Sequence, residues 1–163
     1  MDELSNVQGE ELDEFVTAIL SASWLLTGIS SRSLEAIDGR VTLAQFRTMA
    51  VLSQRRKSNL SRLAAELAVN VSTAMRMVDR LVAAGFVSRS ENPQTRREVV
   101  LCLTPDGEQL VVGVLAHRRA EIGRLLAQMP GGSCDALAAG LRTFTKTAWS
   151  AGVRPNAPNA LAW

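Results

Sequence analysis

Residues 59–103 constrain the fold most, because their signals run helix, tight turn, helix, strand, loop, strand. In 59–68 the apolar residues Leu60, Leu63, Ala64 and Leu67 recur at the spacing of one helix face. Val69-Asn70 ends that helix, and the Asn70 side-chain oxygen is placed to accept a free backbone N–H of the next one. The second helix, residues 71–84, is predicted to bury Ala74, Met77, Val78 and Leu81 and to leave Ser72, Thr73, Arg76 and Arg80 outside. Gly85 then supplies the positive φ of a helix end. An outer face of small hydroxyls and arginines suits the major groove of double-stranded DNA.

Two β-rich runs follow, residues 86–89 and 98–103, and the loop between them holds the turn formers Asn92-Pro93 and the adjacent Arg96 and Arg97. That is a hairpin, and an arginine at its tip can enter a narrow, negative minor groove. Helix-turn-helix plus hairpin makes a winged helix-turn-helix.

The ordered motifs resemble the multiple antibiotic resistance regulator (MarR) family. They are Leu63-Ala64, Val69-Asn70-Val71-Ser72-Thr73, Arg76-Met77-Val78-Asp79-Arg80-Leu81, Gly85-Phe86-Val87, the wing 93–101 and the helix start Leu103-Thr104-Pro105-Asp106-Gly107. Residues 42–52 look like the helix preceding the motif, and the resemblance spans roughly residues 10–150. One position departs from the pattern. Thr95 stands where the family's wing usually carries an aspartate that helps hold it, while the arginine of that motif is kept as Arg97. The resemblance implies a two-fold dimer built from helices at both chain ends, and a small aromatic effector bound where those helices meet the reader.

The formal charge of the 163 residues is only +2, but it is unevenly spread. Residues 1–39 hold eight acids against Arg32 alone, whereas residues 54–97 hold nine bases against Glu66, Asp79 and Glu91. The positive field therefore falls on the segment read as the reader. The length suits one domain with a sizeable core. The acidic N-terminus does not resemble a secretory signal, and no uninterrupted apolar run reaches the ~18 residues of a membrane span. A cytoplasmic protein with no membrane partner is expected.

Along the chain, residues 1–9 and 151–163 read as flexible ends. Residues 10–39 and 104–150 read as dimerisation helices, and residues 40–103 as the winged helix-turn-helix DNA-binding domain. The first helix, from about Glu10 to Ile37, carries Phe15, Ile19, Leu20, Trp24, Leu26 and Ile29 as its apolar set, and Asp38-Gly39 closes it. Thr42-x-x-Gln45 is a capping-box pattern. Thr104-Pro105 opens a long helix running to about Met129, and Ser133 opens the last. Leu110, Val111, Val114, Leu115, Ile122, Leu125 and Leu126 exceed what one reader domain can cover, which predicts a homodimer. The fold class is mainly α with a small β-hairpin wing.

Catalytic and metal chemistry find no support. His117 is the single histidine, and no nucleophile elbow, phosphate loop or Cys-x-x-Cys is present, so neither an enzyme nor a cofactor is expected. Cys102 and Cys134 read as inert thiols, a thiol-based redox sensor being the alternative.

The expected function is a sequence-specific, dimeric transcriptional regulator, a ligand-relieved repressor on a palindromic operator. A binder coating DNA without sequence preference is the alternative. Arg76 is the expected base contact, since a guanidinium can grip guanine O6 and N7 together. Asn70, Ser72, Thr73 and Arg80 are placed for bases or phosphates, with an ion pair to Asp79 or Glu66 as the other reading of Arg80. Asn59 and Ser61 sit at a helix N-terminus suited to phosphate, Arg89 lies at the base of the wing, and Arg96 and Arg97 take the minor groove. Trp24, Ile29, Phe46, Met49 and His117 are the candidate effector site, or else plain core.

Overall fold

The computed structural model describes residues 2–92 and 95–153, with side chains over 9–91 and 99–153. The elements run α1 (Asp2–Ile37), α2 (Leu43–Arg55), α3 (Leu60–Leu67), α4 (Val71–Ala83), β1 (Val87–Asn92), β2 (Thr95–Leu103), α5 (Pro105–Leu126) and α6 (Ser133–Ser150). Mainly helical chain with one antiparallel hairpin is the class expected from the sequence, and it is what forms.

Helix starts follow the caps. Thr42 and Gln45 close a capping box on α2, with the Gln45 N–H donating to Thr42 Oγ1 and the Thr42 N–H donating to Gln45 Oε1 at 2.8 Å. Asn59 and Asn70 accept from the N–H groups of Arg62 and Thr73 at 2.9 and 2.7 Å, each satisfying a donor the helix itself leaves free. The α3–α4 turn is made by Ala68 in the left-handed region, φ 51°, which lets its N–H and that of Val69 return to the end of α3. Gly85, φ 82°, turns the chain from α4 into β1.

The core lies where α2, α3 and α4 meet β2 and the first half of α5. Met49, Leu52, Leu63 and Val78 are fully enclosed there, with Phe86 and Leu101 closing it from the hairpin and Val111 from α5. Two contacts tie α5 to the end of α4. Thr104 Oγ1 caps α5 and donates to the Gly85 carbonyl at 2.7 Å, while Gly107 packs so closely that a Cβ there would lie 2.2 Å from the Phe86 carbonyl oxygen. Arg40, held by Asp38, stacks over the Phe86 ring at 5.3 Å. That ion pair also holds the Asp38 carboxyl below its ordinary value, through the hydrogen bond from Arg40.

Several boundaries differ from the sequence reading. The first helix begins at Asp2 rather than about Glu10, since nothing in 2–10 but Gly9 opposes helix. The strands extend to Asn92 and from Thr95, because the Ser90↔Val100 and Glu91↔Val99 pairings carry the ladder through residues of low β-propensity. The long helix stops at Leu126 instead of Met129. Ahead of Pro130 the chain tightens into i→i−3 bonds, Gln128 to Leu125 and Met129 to Leu126. The last helix does open at Ser133, with Gly132 as its N-cap. The tail reading falls largely on residues outside those described.

Residues 9–27 of α1 are exposed throughout, and α6 buries no residue. Phe15 and Trp24 on α1 and Leu141 and Phe144 on α6 are more than half exposed in the single chain. By length and composition Gly9–Ile37 would suffice to cross a membrane, although serines and threonines interrupt its apolar runs.

Candidate nucleic-acid interface

The packing of α4 decides which side chains face outward. Ala74, Val78 and Leu81 are enclosed, which turns Ser72, Arg76, Asp79 and Arg80 to the surface. At the helix start Asn70 Oδ1 accepts from both the Thr73 N–H and the Ser72 hydroxyl, the latter at 2.8 Å. Arg76 Nη2 donates to Thr73 Oγ1 at 3.3 Å. Asn70 is thus spent on holding the helix start, leaving Ser72, Thr73, Arg76 and Arg80 as the face presented. Asn59 is likewise committed to capping α3, beside an exposed Ser61.

The cations separate into paired and unpaired groups. Glu66 takes Arg55 at 2.9 Å and Arg62 at 3.4 Å, and Asp79 takes Arg89. Neither acid pairs with Arg80, so the ion-pair reading of that residue does not hold among the described residues. Arg76 and Arg80 are exposed there without an ion pair. Arg89, a residue expected at DNA, is joined to α4 by this pair. The side chains of Arg96 and Arg97 lie outside the described residues, although both positions fall in β2.

Sequence reasoning missed the joints. Ser58 exchanges backbone hydrogen bonds with Leu101 on β2, at 3.1 and 2.7 Å, so the chain entering α3 acts as a short third strand. No local pattern marks a single residue that pairs across more than forty positions. The Asp79–Arg89 pair had a signal in its opposite charges, but separation in sequence gave no distance.

The candidate effector residues do not form one cavity in the single chain. Ile29, Phe46 and Met49 are closed core, whereas Trp24 is 76% exposed. Five residues turn a helix by about 140°, which puts Trp24 and Ile29 on different faces of α1. His117 is half-buried and bonded to Ser33 at 3.1 Å. The Ser33 hydroxyl hydrogen goes to the Ile29 carbonyl, so Ser33 must accept and the proton lies on His117 Nδ1. A separate concavity follows α5, lined by Leu115, Arg118, Arg119, Ile122 and Leu126 among others. Burial there pushes the Arg118 guanidinium below its ordinary value.

A helix-turn-helix with an exposed arginine and hydroxyl face, continued by a hairpin tied to its base, defines a winged-helix protein. The family model described as the MarR family matches residues 41–99. The HTH-type transcriptional repressor MdtR of Bacillus subtilis (strain 168) is 32% identical over 109 residues, which is 66% of this chain and 70% of MdtR. The crystal structure of RV1404 from Mycobacterium tuberculosis superposes with TM-score 0.78 at 41% identity, covering 82% of this chain and 92% of that one. A mutant MarR from E. coli complexed with operator DNA gives TM-score 0.62 at 22% identity over 82% of this chain and 95% of its own, a likeness of fold. The chain belongs to the MarR family of transcriptional regulators.

Proposed function

We propose that the protein is a homodimeric, sequence-specific repressor that reads a palindromic operator. The observation that carries this is the α4 face. Arg76 and Arg80 stand exposed, with no ion pair among the described residues, beside Ser72 and Thr73, on a helix whose opposite face is locked into the core. Arg76 takes a guanine edge, Ser72, Thr73 and Arg80 take bases or phosphates, and Ser61 lies over a phosphate at the start of α3. Arg97, with Arg96 beside it, enters the minor groove. The name of MdtR as a repressor and the operator-bound MarR of similar fold support the reading.

Two copies joined through α1, α5 and α6 would cover the exposed apolar residues of those helices and set two α4 helices about one DNA turn apart. The cytoplasm is the compartment such a reader works in. Relief of repression by a small aromatic molecule rests on the family resemblance. It requires a ligand that binds better to a dimer whose readers are spaced wrongly for DNA. Footprinting of the full-length protein on DNA upstream of its own gene tests the proposal. Two protected half-sites about 10 base pairs apart are expected. Absence of protection, or even protection along the whole fragment, would overturn it.

A further inference from the structure

At one step of the hairpin both strands are tied to the helix-turn-helix. Arg89 on β1 and Leu101 on β2 are direct cross-strand partners. Leu101 is held by its two backbone hydrogen bonds to Ser58, at the entrance of α3. Arg89 is held by Asp79, on the outer face of α4. Beyond this step the regular register ends between Glu91 and Asn92. At this step the hairpin is therefore held to the reader by main chain on the β2 side and by the Arg89–Asp79 ion pair on the β1 side.

We propose that Asp79 is a positioning residue for DNA recognition, binding Arg89 so that the wing keeps a fixed angle to the recognition helix. Arg89 then serves wing geometry and not a DNA phosphate. The chemistry supports this assignment. Asp79 is a negative group three residues after Arg76, on the face that meets polyanionic DNA, where an unpaired carboxylate would repel phosphate. Arg89 cancels that charge and converts it into a brace. Both side chains are partly exposed, at 52% and 39%, so either can be replaced without opening the core.

The inference rests on the proposed reading of α4 and the wing, and its test separates the two. Full-length Asp79→Ala, Arg89→Ala, the double variant and the charge swap Asp79→Arg with Arg89→Asp would be compared with wild type. The probes are the footprinted upstream fragment and its scrambled counterpart. Each single change should lower the ratio of cognate to scrambled affinity by about fivefold, and the double by no more than either single. The swap should bring the ratio back to within about twofold of wild type, because a brace works with either polarity. A swap that stays folded but shows no recovery, or Asp79→Ala with an unchanged ratio, would overturn the brace. So would a loss confined to Arg89→Ala with one phosphate less in the salt slope. Hydrogen exchange of the DNA-free protein gives a second reading. The Ser90 and Val100 amides should exchange about three- to fivefold faster in Asp79→Ala than in wild type, with the α2 amides unchanged. Unchanged wing exchange would also overturn the brace. A wild type that does not distinguish its two DNA probes, with faster wing exchange in the variant, would remove the proposed function and leave the brace standing. Asp79→Asn, which keeps the shape and removes the charge, replaces Asp79→Ala if the latter does not fold.

Discussion

Arg76 lies one helical turn beyond Thr73 on the outer face of α4, and its guanidinium already leans on the Thr73 hydroxyl at 3.3 Å. That contact limits the side chain's freedom in the free protein, so the proposed base contact would cost less entropy. Replacing Arg76 by Ala should cost about 1–3 kcal/mol on the cognate site and flatten the base preference beneath it, measured by competition with single-base operator variants. An unchanged preference profile would mean that α4 reads DNA with other residues. At this scale the sequence was legible wherever one residue type does one local job. The Asn70 oxygen, the Thr42–Gln45 box and the positive φ of Gly85 all follow from neighbours within four positions. It was not legible where a partner comes from another element. Arg89 and Arg80 look alike in sequence, and only the approach of β1 to α4 gives Asp79 to the first, while the second has no ion pair among the described residues.

The contact between α5 and the end of α4 fixes the reader against the terminal helices. Thr104 closes the cap of α5 while gripping Gly85, and Gly107 lets the helix press against the Phe86 carbonyl. Gly107→Ala must move backbone apart, because the new methyl would meet that oxygen at 2.2 Å. The expected loss is about 2 kcal/mol or more in chemical denaturation. Gly113→Ala, on the same helix, meets only the Ile37 side chain at 3.4 Å and should be neutral or stabilise by up to about 1 kcal/mol. Equal midpoints for the two variants would contradict the close approach. Elements with a full amphipathic period and a cap were readable to within a few residues, as α3 and α4 show. Local sequence predicts a shorter wing, because Ser90, Glu91 and Asn92 look like loop. Pairing with 99–100 on β2 overrides that local preference, and pairing is not a property of one strand.

Across the whole molecule, acids gather in residues 1–39 and bases in residues 54–97, while apolar surface remains on the terminal helices. The surplus of leucines on those helices was visible in sequence. Their division into a core face and an outer face was not, and of Ile29 and Trp24 only Ile29 is enclosed. Phe15→Glu, at a position 67% exposed in the single chain, should shift the sedimentation coefficient from dimer toward monomer without loss of helical circular dichroism. A wild type that sediments as a monomer, or that partitions into membrane vesicles through α1, would contradict the assembly. Discrimination of one DNA sequence from the rest is what the proposed function requires of this protein. It is tested most directly by the affinity of the wild-type protein for the footprinted fragment and for its scrambled counterpart, measured side by side from low to physiological salt. Both affinities should fall with salt while the cognate fragment keeps an advantage of at least about a thousandfold. Equal affinities for the two fragments at every salt concentration would contradict it.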